Sequence, residues 1–289
     1  MKGSSFFILV IAITLNSLNG ITQDLTQDQK IWYSNYLLLK INKKTYFDNY
    51  LLNGYNASGH KFSFVQNDFA FNYKISNKLI AFVGVANYFY KWSPIYNQSY
   101  SGSISKLGTI SYIRGSVGLK FKFKFLKNFE MDQSIGFQSY YPSLDKYQSR
   151  IVYNNQISFT TRKMPLKLTP YAQAGFFYYL NGTPSLYYSE NGDYDGYYSS
   201  NGLHRMRVKF GVKMKPIKAN ENFGISFYYC IQKEFNLNSL GGHPLNTSRI
   251  GSVTAAQTIT NPFNDYNIIG VQFNYIFSKG ANSSTKRRQ

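Results

Sequence analysis

The chain has 289 residues and a formal charge of +19, with 18% aromatic and only 16% charged residues, and a mean hydropathy of -0.33. Soluble domains typically carry about 25% charged residues, so abundant Tyr and Phe with sparse charge fit a wall between lipid and water better than an ordinary soluble core. The single cysteine, Cys230, excludes an intramolecular disulfide, and the three scattered histidines, His60, His204 and His243, exclude a structural zinc site.

At the N-terminus, Lys2 precedes the apolar run Phe6-Phe7-Ile8-Leu9-Val10-Ile11-Ala12-Ile13-Thr14-Leu15, followed by polar Asn16, Ser17 and Asn19. That run is shorter than the roughly 20 residues a spanning helix needs. Behind a basic start it reads as a secretory signal peptide over residues 1–20, cut near Gly20. With no cysteine at the cut, a lipid-anchored lipoprotein is not expected. Every later apolar run is broken by Asn, Lys, Ser or Gly, so any membrane crossing must be made by strands.

Eleven alternating segments follow: Lys30–Ile41, Thr45–Tyr55, Lys61–Lys74, Leu79–Trp92, Lys106–Phe125, Asn128–Tyr141, Arg150–Arg162, Lys167–Leu180, His204–Lys215, Asn222–Phe235 and Asn264–Phe277. Each reaches the roughly 9–11 residues of a tilted membrane strand. Their connections alternate between short and long. The short ones are Asn42-Lys43-Lys44, Ile75–Lys78, Leu126-Lys127, Lys163–Leu166 and Pro216–Glu221. The long ones are Asn56–His60, Ser93–Ser105, Pro142–Ser149, Asn181–Leu203 and Asn236–Pro262. Strict alternation of this kind predicts an all-β, antiparallel, up-and-down transmembrane barrel with periplasmic turns and external loops. Because such barrels have even strand numbers, about 12 strands (10–12) are expected, with a hidden strand in Gly251–Thr260 or a misread first hairpin.

Several segments assign their faces. In Lys106–Phe125, Leu119, Phe121, Phe123 and Phe125 oppose Lys120, Lys122 and Lys124. In His204–Lys215, Val208, Phe210, Val212 and Met214 oppose Arg205, Arg207, Lys209 and Lys213. A Lys or Arg on the lipid face costs roughly 2–4 kcal/mol at the midplane, so these rows are expected to face the lumen, together with Arg114. Asp68, Glu130, Asp132 and Glu234 fall on the same inward set. The predicted lumen is polar, mixed in sign and biased to positive charge. Trp32, Tyr88, Tyr90, Trp92, Tyr140 and Tyr141, near strand ends, are expected in the interfacial girdles.

The last segment carries the membrane address. Val271, Phe273, Tyr275 and Phe277 share one face, and Gly270, Gln272 and Asn274 the other. A glycine followed by spaced aromatics ending in Phe resembles the C-terminal signal that outer-membrane barrels present to their assembly machinery. The division is thus signal peptide 1–20, barrel 21–277 and a basic, disordered tail 278–289 ending Lys286-Arg287-Arg288.

The opening Lys30-Ile31-Trp32-Tyr33-Ser34 through Ile41-Asn42-Lys43-Lys44 resembles the tryptophan-led first strand and Asn-Lys-Lys turn of the bacterial domain of unknown function 2490 family, putative outer-membrane proteins. Leu168-Thr169-Pro170-Tyr171-Ala172-Gln173-Ala174, Phe227-Tyr228-Tyr229 with Gln232-Lys233-Glu234, and Ile268-Ile269-Gly270 are similar to its habits too. The resemblance spans the mature chain, while the tail Ser278–Gln289 departs from it by running past the terminal aromatic. It implies a Gram-negative outer-membrane location and a barrel fold, and it supplies no catalytic residue.

Three places offer chemistry. His204 begins a strand at the outer end beside Ser199 and Ser200, where a barrel hydrolase would hold its base and nucleophile; a loop-edge histidine is the simpler reading. Glu130 and Asp132 project to one side and could serve acid–base work, although ion pairing with Lys120, Lys122, Arg205 or Arg207 accounts for them more simply. The loop Ser189-Glu190-Asn191-Gly192-Asp193-Tyr194-Asp195-Gly196 offers oxygen ligands but lacks the spacing and distal Glu of a calcium loop. The tyrosines around it, Tyr187, Tyr188, Tyr194, Tyr197 and Tyr198, suit sugar stacking or simply a surface loop. Asn56, Asn97, Asn181 and Asn246 head glycosylation-like sequons without consequence in a bacterial protein.

No metal, cofactor or enzymatic activity is expected. The expected partners are outer-membrane lipid, the barrel-assembly machinery and small anionic solutes. Nucleic acid is not among them, because no soluble face interleaves stacking aromatics with Lys and Arg. The leading functional expectation is a small pore for anionic or polar solutes. The alternative is a non-conducting structural or interaction barrel acting through external loops 181–203 and 236–262, and a rim hydrolase ranks last.

Overall fold

The computed structural model describes residues 29–56, 61–91, 109–142, 144, 146–161, 164–182, 184–188, 194–199, 201–217, 222–235, 249–250, 258–259 and 265–278. The expected signal peptide, Trp92, most of loop 236–262 and the tail beyond Ser278 lie outside these residues.

Eleven strands close a barrel: β1 (Gln29–Lys40), β2 (Thr45–Asn56), β3 (Lys61–Lys74), β4 (Leu79–Lys91), β5 (Thr109–Leu126), β6 (Phe129–Tyr141), β7 (Ser149–Phe159), β8 (Thr169–Leu180), β11 (Gly202–Met214), β12 (Phe223–Glu234) and β15 (Tyr266–Ser278). Two small hairpins stand apart from the wall, β9 (Ser185–Tyr188) with β10 (Tyr194–Tyr198), and β13 (Arg249–Ile250) with β14 (Thr258–Ile259). Neighbouring wall strands pair antiparallel except at the closure. There β1 runs parallel to β15, from Gln29↔Asn267 to Lys40↔Ser278.

That closure corrects the expected strand count. An even barrel brings its first and last strands together antiparallel, whereas eleven strands leave both running the same way. The Thr258–Ile259 strand pairs only with Arg249–Ile250 and adds nothing to the wall. β1 therefore starts at the loop end and β15 finishes at the turn end.

Short connections at the turn end are built by local side-chain acceptors. Asn42 Oδ1 accepts from the Lys44 and Thr45 amides, both at 2.8 Å. Ser76 Oγ does the same for Lys78 and Leu79 at 3.2 and 3.1 Å. These Asx- and ST-type turns explain why Asn and Ser occupy those positions. The β7–β8 connection is longer than expected, running from Thr160 to Leu168. It holds a 3-10 turn at Pro165–Lys167, with Leu166 and Lys167 left-handed at φ 51 each.

Alternation puts the two faces where the sequence predicts. Outside, large apolar residues stand exposed around the wall, among them Leu37, Phe69, Val83, Val85, Val117, Ile135, Phe137 and Ile269. Inside, the same strands present Trp32, Ser34, Asp68, Asn72, Arg114, Tyr140, Arg150, Tyr179, Arg205 and Glu234. An apolar outside around a polar, aromatic inside inverts the arrangement of a soluble domain.

The girdle expectation needs correction. Trp32, Tyr88 and Tyr140 are buried in the lumen, and Tyr90 packs its ring on Phe64 and Tyr88. Of the described candidates, Tyr141 faces outward. Near the turn end the outer aromatics are instead Phe47–Phe71, Phe125–Phe129–Phe159 and Phe223–Tyr275–Phe277, with ring centroids between 5.2 and 5.7 Å apart. Proximity to a strand end does not decide which way a ring points; the parity along the strand does.

Candidate functional site: the lumen

A barrel of eight strands is about wide enough for ordinary side chains to fill. With eleven, this wall encloses more space, and the chain answers with Tyr, Trp, Phe and Arg on its inner face. Two buried clusters result. One gathers Trp32, Leu52, Phe64, Tyr171, Tyr228 and Ile268 beside the β1–β15 closure. The other gathers Tyr88, Tyr140, Val152, Phe177 and Tyr179 on the β4–β8 side, together with Tyr147 from the β6–β7 connection.

Glycines make room for the largest rings. A Cβ on Gly270 would stand 2.0 Å from Tyr228 Cζ, and one on Gly54 would stand 2.2 Å from Phe64 Cε1. Rings from neighbouring strands therefore lie against bare backbone, where any side chain would push them off the wall.

At the loop end, Glu234 is the hub. Its fully buried carboxylate accepts from Tyr179 Oη at 2.7 Å, from Arg205 through Nε at 2.9 Å and through Nη2, and from Lys146 Nζ at 2.5 Å. Lys146 belongs to the same connection as Tyr147, which folds into the barrel. The Tyr147 ring lies 4.2 Å from Tyr179, and its hydroxyl accepts from Arg150 Nη1 at 3.0 Å. Burial pushes the Lys146 ammonium below its ordinary pKa, opposed by the pull of the Glu234 carboxylate.

Arg114 Nη2 donates to Asp68 Oδ2 at 2.8 Å and Nη1 to the Tyr88 hydroxyl. Lys122 lies 3.1 Å from Glu130 and 3.7 Å from Asp132, and Lys124 lies 3.3 Å from Glu130. The Glu130–Asp132 pair is thus held in ion pairs, with Lys122 and Lys124 as its partners. Lys120 crosses instead to Asp48, an inward carboxylate the sequence reading missed, at 3.4 Å, and donates to Asn72 Oδ1 at 2.8 Å.

Arg207 donates to Gln232 Oε1 at 2.6 Å and the Tyr266 hydroxyl at 3.2 Å. Lys209 lies 4.4 Å from the centre of the Tyr228 ring and Lys213 4.7 Å from that of Tyr171. Aromatic faces thus stand beside Lys209 and Lys213, which make no ion pair among the described residues; Arg207 lies 5.4 Å from Trp32 and 5.2 Å from Phe177. Such contacts are worth roughly 0.5–2 kcal/mol each.

The hydrolase candidates are otherwise engaged. His204 is fully buried, with Nδ1 3.1 Å from the Phe235 carbonyl and its ring against Tyr179. Ser199 Oγ donates to the Gly182 carbonyl at 2.8 Å. Ser200 and Ser189–Asp193 lie outside the described residues, and among the described residues no group of His, Cys, Asp and Glu is placed to hold a metal.

Sequence reasoning missed Arg150, Lys146, Tyr147, Tyr179 and Asp48. Parity along the strand was a usable signal for Arg150, Tyr179 and Asp48. Lys146 and Tyr147 sit in a connection and carry no periodic signal.

At the turn end a cavity of about 420 Å³ is lined by Leu38, Lys40, Asn42, Lys43, Tyr46 and Lys74. Comparison with known protein families and with curated proteins finds no match.

Proposed function

We propose that the chain is an integral β-barrel of the Gram-negative outer membrane, akin to the domain of unknown function 2490 family, whose lumen is sealed by its own side chains, so that it does not conduct. The transmembrane placement is supported by the apolar outer face. Exposed Phe69, Val83, Val117, Ile135 and Phe137 form a contiguous apolar surface of a kind soluble monomers rarely carry.

The observation that carries the closed state is the Glu234 hub, where groups from β8, β11, β12 and the β6–β7 connection meet inside the barrel with the carboxylate fully buried. A solute passing the loop end would have to break these contacts in a region of low dielectric, where unpaired charges are costly. On this reading the barrel works by presenting surfaces at its two ends. Its partners in the membrane are lipid and the barrel-assembly machinery, which would read the β15 strand.

One observation favours the rival pore for anionic solutes: inward cations outnumber inward carboxylates, and Lys209 and Lys213 lie over aromatic rings with no ion pair among the described residues. Single-channel recording across a planar bilayer separates the readings. The sealed barrel gives no steady conductance, and an anion-selective step current would establish the pore. Nothing favours a rim hydrolase, since the His204 ring is buried and its Nδ1 is held by Phe235.

A further inference from the structure

The apolar pattern of the outer wall is broken on β1 to β4, where each strand carries an asparagine at an outward position: Asn35, Asn49, Asn67 and Asn87. Residues of the opposite parity on the same strands, Ser34, Leu52, Phe64 and Tyr88, are buried inside. Strand register draws the asparagines into one stripe. Asn35 pairs with Leu51, Leu51 with Asn67, and Asn67 with Asn87, so the row crosses four neighbouring strands. At about 4.8 Å per strand it is ~14 Å across. Asn49 flanks the row, its Nδ2 donating to Asn67 Oδ1 at 2.7 Å and to the Asp68 carbonyl at 3.0 Å. The two inner amides thus satisfy one another. Asn35 and Asn87, at the two ends of the row, stand exposed and make no hydrogen bond among the described residues. Exposed Leu37, Phe69, Val85 and Phe89 border the stripe, so it lies within the apolar band and not at its edge. An amide left in hydrocarbon without a partner is costly.

We infer that this stripe is a contact between two copies of the chain, side by side in the membrane plane. The inference rests on the membrane placement proposed above and is independent of whether the lumen conducts. A carboxamide carries both donors and an acceptor. A two-fold axis sets the stripe against itself, so that each donor of one copy meets an acceptor of the other. Between lipid-immersed surfaces, apolar burial gains nothing over lipid, and side-chain hydrogen bonds with close packing drive association. The outward face of β1 and β2 carries no charged side chain, because Lys30, Lys40 and Asp48 have inward parity. A partner recognised by ion pairs therefore gains no hold there. Elsewhere on the wall, Gln133 and Asn155 oppose each other on β6 and β7, but both are half-buried and they form only a pair.

The test refolds the full chain into phosphatidylcholine vesicles to read insertion, and into a neutral, density-matched detergent for sedimentation equilibrium. The parent chain is expected to sediment as a dimer. Asn35→Leu with Asn87→Leu should weaken association by at least about tenfold, since each change removes two symmetry-related contacts. The same double variant should insert into vesicles as well as the parent or better, because leucine suits lipid; this separates lost association from failed folding. Gln133→Leu with Asn155→Leu should change association by no more than about twofold. A dimer undiminished in the Asn35/Asn87 variant, or an equal loss in the Gln133/Asn155 variant, overturns the inference. A parent chain that inserts but stays monomeric overturns it too, and hands the stripe to a transmembrane segment of another protein. Failure of the parent to insert overturns the membrane placement, and the inference with it.

Discussion

Lys146 Nζ lies 2.5 Å from Glu234 Oε2, although two wall strands, β8 and β11, separate β7, where the β6–β7 connection ends, from β12. This contact ties the connection to a wall strand three places along the barrel from β7. A lysine in a solvated loop would gain little from such a pair; here one partner is fully buried and the other nearly so.

Removing the hub acid should therefore cost more than removing one donor. Glu234→Gln leaves Arg205 buried without its counter-charge and is expected to destabilise by about 3–5 kcal/mol. Burial already holds the Lys146 ammonium below its ordinary pKa, whereas the Arg205 guanidinium stays charged. Lys146→Met leaves the carboxylate with Arg205 and Tyr179, so its cost is expected at about 1–2 kcal/mol. Urea unfolding of the refolded barrel measures both, and a reversed order would refute the hub.

The packing of Tyr228 on Gly270 makes a second prediction. Gly270→Ala drives a methyl into the ring and is expected to cost about 1–3 kcal/mol, as overpacking does. In a Tyr228→Leu background most of that penalty should disappear, giving a coupling energy in a double-mutant cycle. Additive costs would mean that the ring does not lie against Gly270.

Membrane placement predicts an opposite response on the two faces. Val117, near the middle of β5 and 54% exposed, faces outward. Val117→Arg should cost roughly 2–4 kcal/mol when the barrel folds into lipid vesicles. In a soluble protein the same change at so exposed a site would be close to neutral. Folding efficiency into vesicles, read by gel mobility, distinguishes them.

The wall was legible in the sequence because strand periodicity is local. Leu119–Phe125 against Lys120–Lys124, and the terminal Gly270–Phe277 stretch, declare their faces within a few residues. The inward placement of Arg114, Arg205, Arg207, Asp68 and Glu234 follows from the same alternation. Closure was not legible. An odd count leaves β1 parallel to β15, and no local pattern distinguishes a parallel from an antiparallel seam. The girdle assignment failed for Trp32, Tyr88 and Tyr140 because aromatic rings suit both an interface and a crowded lumen. Seeing that Lys146 and Tyr147 fold inward required the three-dimensional path of a non-periodic connection.

Whether these inward side chains seal the barrel is tested most directly by single-channel recording of the refolded chain in a planar bilayer. No steady conductance is expected for the parent chain, with openings emerging in Glu234→Gln as the loop-end hub loosens. A steady anion-selective current through the unaltered protein would contradict it.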